Sequence, residues 1–325
     1  MSHGKPPLNI VHLDKDSIGP GIVMNRPSCA HRWTSHDHTA EAEIVTRLAD
    51  ADVAIVNKIG LDSHIVSQLP GLRMIAVSAT GYDRIDLEAC RARGIVVSNI
   101  QGYAGDTVPE HAFALMLALR RGIKGYQADV EAGLWQQSRH FCLFTRPVSD
   151  LKGSTLGLIG SGAIGGAVGR IAEAFGMTVI KAARKGSDET PDGYVPFDDV
   201  IATSDIISLH CPLTPQTTRL IAAPEFARMK DSAILINTSR GGLVDEHDLV
   251  EALDTGTIAG AGFDVVGTEP PSPDHIFLRN LERPNFILTP HVGWSSIGAR
   301  QMLWDQLVGH IDNFAKGAPS NNVCG

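Results

Sequence analysis

The sequence predicts an α/β protein built from two open, parallel, doubly wound sheets. Three observations predict it. Short β-branched runs alternate with helical stretches, one such run enters a glycine-rich turn that opens a helix, and 325 residues make about two domains at roughly 150 each. The first series places strands near Asn9 to Leu13, Val53 to Val56, Arg73 to Val77 and Ile95 to Ser98. Helices over Thr39 to Ala49 and Asp86 to Arg93 fall between them, which is the spacing of βαβ units. Next comes Thr107 to Arg121, with Pro109 in its first turn and Gly122 at its end. It is apolar on nearly every side, so it is expected to be buried in a domain or subunit interface. A second series follows: Thr155 to Ile159, Thr178 to Lys181, Ile206 to His210, Ala233 to Asn237, Ala259 to Asp264 and Phe286 to Thr289. Six strands make a full doubly wound sheet. The tail from Trp294 to Phe314 reads as a helix with no strand after it, and is expected to return to the first domain. The division predicted is residues 1–103 plus 293–325 for one domain and 104–292 for the other.

Composition narrows the function. The net charge is −8 and no Lys/Arg run gathers into a stripe, which argues against nucleic acid or an anionic membrane surface as partner. The longest apolar stretch, Ala112 to Leu119, is far short of the roughly 20 residues that span a bilayer. Met1 to Asn9 lacks the apolar region and cleavage site of a secretory leader, so a cytoplasmic protein is expected. Five cysteines with no CxxC pair fit reduced thiols better than disulfides or a structural zinc site, and no metal is expected.

Leu156 to Ile159 runs directly into Gly160-Ser161-Gly162-Ala163-Ile164-Gly165 and then a helix. In a dinucleotide fingerprint the first glycine makes the turn, the second admits a pyrophosphate to the backbone, and the third lets helix pack on strand. An ordinary tight βα turn is the plainer reading, but the strand before and the helix after favour the fingerprint. The second series is therefore read as a Rossmann-type sheet, and the first as a flavodoxin-like α/β domain. An NAD site normally carries Asp or Glu at the end of the next strand, to bind the ribose 2′-hydroxyl. Here the chain reads Ala183-Arg184-Lys185: no acceptor, and two positive charges where a 2′-phosphate would sit. NADP(H) is the preferred cofactor on this reading, with NAD(H) possible; a solvated basic turn is the alternative.

Three polar segments follow strands of the second series, where open α/β sheets place their ligand crevice. They carry Arg240, Glu269 and His291. Hydride reduction of a carbonyl leaves an alkoxide that needs a proton, and His titrates near neutral pH. Glu269 would orient the imidazole and stabilise its charged form. Arg240 would polarise the carbonyl and hold a substrate carboxylate. Singly, each has a plainer reading: an Arg paired to a helix end, a surface Glu before Pro270, a structural His in a turn. His31, His36 and His38 read as a solvated loop rather than a metal site. His210, at a strand end on the cofactor side, lines an adenosine pocket or simply packs.

The blocks SATGYDRIDLEACRARGIVVSN, TVPEHAFALMLALRRG, LGLIGSGAIG, SLHCPLT, MKDSAILINTSRGGLVDE, GAGFDVV, EPP and LTPHVGW run from about Val77 to Trp294. In them the chain resembles the D-isomer-specific 2-hydroxyacid dehydrogenases, and among these the glycerate dehydrogenase and hydroxypyruvate/glyoxylate reductase group. The resemblance implies that Arg240, Glu269 and His291 are catalytic and that the amides of Thr80 and Gly81 grip the substrate carboxylate. It implies that Asp264 binds the nicotinamide carboxamide and that Thr107 lies near the cofactor; Pro212 and Thr238 are counted with them as cofactor contacts. Asn57 and Lys58 are expected to face substrate, and Trp294 to close the pocket. The implied partner is a small 2-oxo or 2-hydroxy acid, bound in a cleft between the domains, in a homodimer formed through the cofactor domain. Two departures bear on substrate size: Ala79 stands where many members have Gly, and Val265-Val266-Gly267 replaces a Val-Phe segment. The alternatives are another dehydrogenase of the superfamily, acting on lactate or phosphoglycerate, and a dinucleotide-sensing protein without turnover.

Overall fold

The structure, a computed structural model, describes residues 6–187 and 189–325. The opening stretch in which no leader was read begins outside the described residues. The chain divides into two compact units, Met1–Tyr103 with Ser295–Gly325, and Ala104–Trp294.

In the first unit the strands β1 (Leu8–His12), β2 (His31–Ser35), β3 (Val53–Val56), β4 (Met74–Val77) and β5 (Val96–Ser98) form one parallel sheet in the order β2-β1-β3-β4-β5. That is the flavodoxin-like order. Every residue of β3 and β4 is buried, the near-continuous apolar run expected of a parallel strand covered on both faces. β2 corrects the reading of His31 as part of a solvated loop: HRWTS is an edge strand in register with β1, Leu8 opposite His31 through His12 opposite Ser35. Its burial alternates, His31 and Trp33 being half-buried and the others exposed. The short helices α1 (Ile44–Leu48), α2 (Ser63–Ser67) and α3 (Leu87–Ala92) connect the strands. Asp62 and Asp86 cap the last two by accepting from the amides of Ile65 and Ala89.

The second unit carries β6 (Thr155–Ile159), β7 (Thr178–Lys181), β8 (Ile206–Leu209), β9 (Ile234–Asn237), β10 (Gly260–Phe263) and β11 (Phe286–Leu288). All pairings are parallel, in the order β11-β10-β9-β8-β6-β7. From β6 the chain goes outward to β7 and then returns to the other side at β8, so the topological switch lies between β6 and β8. The helices are α4 (Thr107–Arg120), α5 (Ile123–Glu131), α6 (Ala163–Ala174), α7 (Phe197–Thr203), α8 (Ala223–Phe226) and α9 (Glu246–Asp254). One face of α4 is accounted for within the unit: Ala112, Phe113, Leu115 and Met116 are buried in one core with Leu156, Leu158, Val168, Ala172 and Ile236. Ala114 is exposed, and Leu117 and Leu119 are only partly covered.

The last helix, α10 (Ile297–Lys316), belongs to the first unit. Ser296 caps its start and Gly317, at φ +84°, ends it. Arg300 donates to the carbonyls of Ile18 and Pro20, and the buried indole of Trp304 donates to the carbonyl of Asn25. Beyond it Val323 donates to the carbonyl of Val97, on the edge of β5. Among the described residues no helix is long and apolar enough to cross a membrane.

Candidate active site

The glycine turn lies where the switch point places a ligand crevice. Gly160 sits at φ +94°, and a Cβ there would come within 2.6 Å of the His210 carbonyl and the Cys211 amide. A Cβ on Gly165 would stand 2.1 Å from the carbonyl oxygen of Gly160. Both positions demand glycine. Gly162 differs, because a Cβ there would meet nothing within 4 Å. Its backbone opens on free space at the start of α6, whose first residues Ala163 and Ile164 leave amides without helical partners. Nearby strand ends carry two buried polar atoms without a hydrogen-bond partner among the described residues, Nδ1 of His210 and Oγ1 of Thr238. The other nitrogen of His210 lies 2.8 Å from Ser208 Oγ, and burial pulls its pKa down to about 4, so the ring is neutral. An open glycine backbone, free helix amides and orphaned polar atoms fit a dinucleotide phosphate and its sugar.

At the end of β7, Ala183 is buried and offers no side-chain acceptor. The two cations after it have different fates. Lys185 lies 2.8 Å from Glu225 and donates to the carbonyl of Leu220 at 2.9 Å. That ion pair with a buried carboxylate competes with any pairing of Lys185 with a 2′-phosphate. Arg184 is exposed.

β9 ends in a turn that Asn237 folds: its Oδ1 accepts from Ser239 N at 3.0 Å and its Nδ2 donates to the Arg240 carbonyl at 2.9 Å. The Arg240 guanidinium donates to the Ser239 carbonyl at 2.8 Å. A Cβ on the next residue, Gly241, would stand 2.0 Å from the Val266 carbonyl carbon. That close approach sets the Arg240 turn directly against the segment leading to Glu269. Glu269 accepts from Val266 N at 3.3 Å through Oε1, and its Oε2 lies 2.7 Å from His291 Nδ1. Both side chains are about one-quarter exposed. With Glu269 on Nδ1, proton exchange with a substrate falls to Nε2. His291 adopts φ +55°, a left-handed conformation for a residue with a Cβ. Asp264 supports it. This buried carboxylate accepts from Val292 N at 2.9 Å, Gly293 N at 2.8 Å and Thr289 Oγ1 at 2.6 Å, and its carbonyl accepts from His291 N at 2.7 Å. Burial raises its pKa, but hydrogen bonds from His111, Thr289 and the two amides outweigh burial and hold it below the usual carboxylate range. Thr107, expected near the cofactor, donates to the Gly293 carbonyl at 3.1 Å, and the Trp294 indole donates to the His291 carbonyl at 3.0 Å.

Residues 113–293 match the model of the D-isomer specific 2-hydroxyacid dehydrogenase NAD binding domain. The chain is 47% identical over 317 residues to a glycerate dehydrogenase of Methylorubrum extorquens, covering 97% of this chain and 98% of that one. The chain belongs to the D-isomer specific 2-hydroxyacid dehydrogenase family. It is also 40% identical to a glyoxylate reductase of Thermococcus litoralis, over 85% of this chain and 84% of that one. Among solved structures it resembles the TT0316 protein of Thermus thermophilus, with TM-score 0.84, 32% identity and coverage of 97% and 100%.

Asn57, Lys58, Thr80 and Gly81 of this dehydrogenase, also singled out in the sequence, lie in its first unit, after β3 and β4. The two oxygens of Asp14 accept from Asn57 N at 3.1 and 3.0 Å, and Oδ2 also accepts from Lys58 N at 2.8 Å. The Asn57 side chain donates to Ser17 Oγ at 3.1 Å, while Lys58 is exposed. Thr80 donates its hydroxyl to the Ile100 carbonyl at 2.8 Å and leads into Gly81. Pro212, in the second unit, is exposed just past His210, and its carbonyl accepts from Thr217. Sequence reading missed residues that hold the loops carrying Glu269 and His291 in this dehydrogenase. Glu246 accepts from Gly267 N at 2.8 Å and pairs with His275 at 3.0 Å, bracing the approach to Glu269. His111 reaches Thr289 from α4. Only distance in the sequence concealed them; each is a polar residue in an otherwise structural helix or turn.

Proposed function

We propose that this dehydrogenase reduces hydroxypyruvate and glyoxylate at C2, with NADPH preferred to NADH and with glycerate and glycolate as the reverse substrates. The observation that carries the reading is the 2.7 Å pairing of His291 Nδ1 with Glu269 beside the Arg240 turn. The bound nicotinamide supplies the hydride. The chain supplies the rest: His291 Nε2 gives its proton to the carbonyl oxygen as charge develops there, Glu269 stabilises the imidazolium, and Arg240 holds the carboxylate and polarises the carbonyl. Thr80 and Gly81, through their amides, Asn57, Lys58 and Trp294 are taken as substrate contacts. The Gly160–Gly165 turn, His210, Pro212 and Thr238 are taken as cofactor contacts. Support for the substrate class comes from relatives named for glycerate and glyoxylate, since oxidation of glycerate at C2 yields hydroxypyruvate. The assay is oxidation of NADPH and NADH with glyoxylate, hydroxypyruvate and pyruvate; binding of dinucleotide without turnover of any acid overturns the reading in favour of a sensor.

The NADPH preference rests on Arg184, because Lys185 is committed to Glu225. Loss of one charge-assisted contact is worth about tenfold or more. Arg184→Ala is therefore expected to raise the KM for NADPH by about tenfold while leaving that for NADH within twofold. An equal change for both cofactors would remove Arg184 from the 2′-phosphate site. The enzyme is placed in the cytoplasm, where its five free cysteines stay reduced.

A homodimer is also proposed, formed through the cofactor domain, with an exposed segment of that domain contributing to the interface. Between α5 and β6, Phe141 is 91% and Phe144 88% exposed, with Trp135 and Leu134 half exposed beside them in sequence. So much aromatic surface in one segment is what an interface presents. Sedimentation of the wild type should show a dimer, and Phe141→Ser with Phe144→Ser should yield monomers of unchanged fold. A monomeric wild type at micromolar concentration overturns this.

A further inference from the structure

Asp264 was read as a ligand of the cofactor, yet its carboxylate is 2% exposed and both oxygens are engaged by groups of the chain itself. All of these except Thr289 lie in the two residues after His291. The remaining group in contact is His111, on the face of α4 directed at this loop. Its Nε2 is 2.9 Å from Thr289 Oγ1 and 3.4 Å from Asp264 Oδ1. Since Thr289 Oγ1 donates its proton to Asp264, it can only accept from His111, which fixes the hydrogen on Nε2. The fit is close: a Cβ on Gly293 would stand 2.9 Å from Asp264 Oδ2 and 3.2 Å from His111 Cδ2. Thr107, one turn earlier on α4, binds the carbonyl of the same Gly293. Two successive turns of α4 thus grip the loop that carries His291, and α4 is itself anchored in the core through Ala112, Phe113, Leu115 and Met116.

That loop needs a grip. His291 is held at φ +55°, a conformation that strains a residue with a side chain and persists only where its surroundings impose it. We propose that His111 is a positioning residue for the proton-donating step, acting through Thr289 and Asp264 to hold His291 in the left-handed conformation that presents Nε2 to substrate. The proposal rests on His291 being the proton donor. His111 touches neither substrate nor the reacting atoms. Its effect therefore falls on kcat, because misplacing a catalytic group by an ångström costs up to about a hundredfold, whereas binding of cofactor and acid uses other residues.

The test is steady-state kinetics of the full-length enzyme with three variants. His111→Leu keeps the volume and removes the donor, and is expected to lower kcat with glyoxylate by about 10- to 100-fold, with both KM values within threefold. His111→Gln sets an amide N–H near the position of Nε2 and is expected to recover kcat to within about threefold of wild type. Thr289→Val breaks the same chain from the other side without disturbing α4, so it serves if His111→Leu does not fold. The double variant His111→Leu/Thr289→Val should lose no more than the worse single one, as members of one chain do. An unchanged kcat in Thr289→Val, losses that multiply in the double variant, or His111→Gln as impaired as His111→Leu would overturn the proposal. Failure of the underlying reading looks different: the wild type itself would then turn over no 2-oxo acid, or His291→Asn would keep its kcat.

Discussion

Replacing His291 by Asn is expected to lower kcat with glyoxylate by about a thousandfold, while dinucleotide affinity measured by nicotinamide fluorescence changes less than threefold. A positioned general acid is worth about 10²–10⁴ in rate. The magnitude here belongs in the upper part of that range, because the His291–Glu269 pair is lost as a unit. Asn is the informative substitution, since it tolerates the left-handed backbone that His291 adopts at φ +55°. Loss of activity in this variant therefore reports the missing proton rather than a collapsed loop. His291→Gln should lose at least as much. Retention of kcat in either would remove His291 from the reaction.

The second large effect is expected at Arg240. Arg240→Ala should reduce kcat/KM by about a thousandfold, split between a higher KM for the acid and a lower kcat. The first part reflects the lost bidentate contact with the carboxylate, and the second the lost polarisation of the carbonyl. Arg240→Lys should recover only part of it, because an ammonium supplies the charge but not the planar fork. The backbone of the turn is held by Asn237 and by the packing of Gly241 on Val266, neither of which uses the guanidinium. The fold should therefore survive both substitutions, and circular dichroism would check this. If Arg240→Lys were as active as wild type, charge alone would suffice and the fork would have no part in recognition.

The parts of this protein that were legible in its sequence are those set by local spacing. β8 and β9 announce themselves as continuous apolar runs because both faces of a parallel sheet are covered there. The glycine turn is legible for a similar reason: Gly160 and Gly165 stand where any Cβ would strike backbone, and chemistry of that kind leaves only one residue type. β2 is not legible because HRWTS has no apolar run, and its alternation shows only as half-burial of His31 and Trp33. α4 is legible as buried, but what covers it is not, since periodicity tells how much of a helix is covered and not by what; the core of its own unit takes Ala112, Phe113, Leu115 and Met116.

The same division holds in the site. Sequence alone determined that an Arg, a Glu and a His follow three strands whose ends open on one side of a sheet, and that a dinucleotide turn precedes them. Those statements depend on strand order and residue type, which near neighbours in the chain encode. Only the tertiary structure decided which charges are free to act. Lys185 and Arg184 are adjacent in sequence, yet a buried carboxylate from a distant helix, Glu225, takes one of them. Nothing in the sequence around Asp264 shows that Val292, Gly293, Thr289 and His111 gather around its carboxylate. A carboxylate or an ammonium interacts with whatever lies within a few ångströms, and that neighbourhood is assembled from segments far apart in the chain. Residue type fixes what a side chain can do; its partners in the folded protein fix which of those things it does.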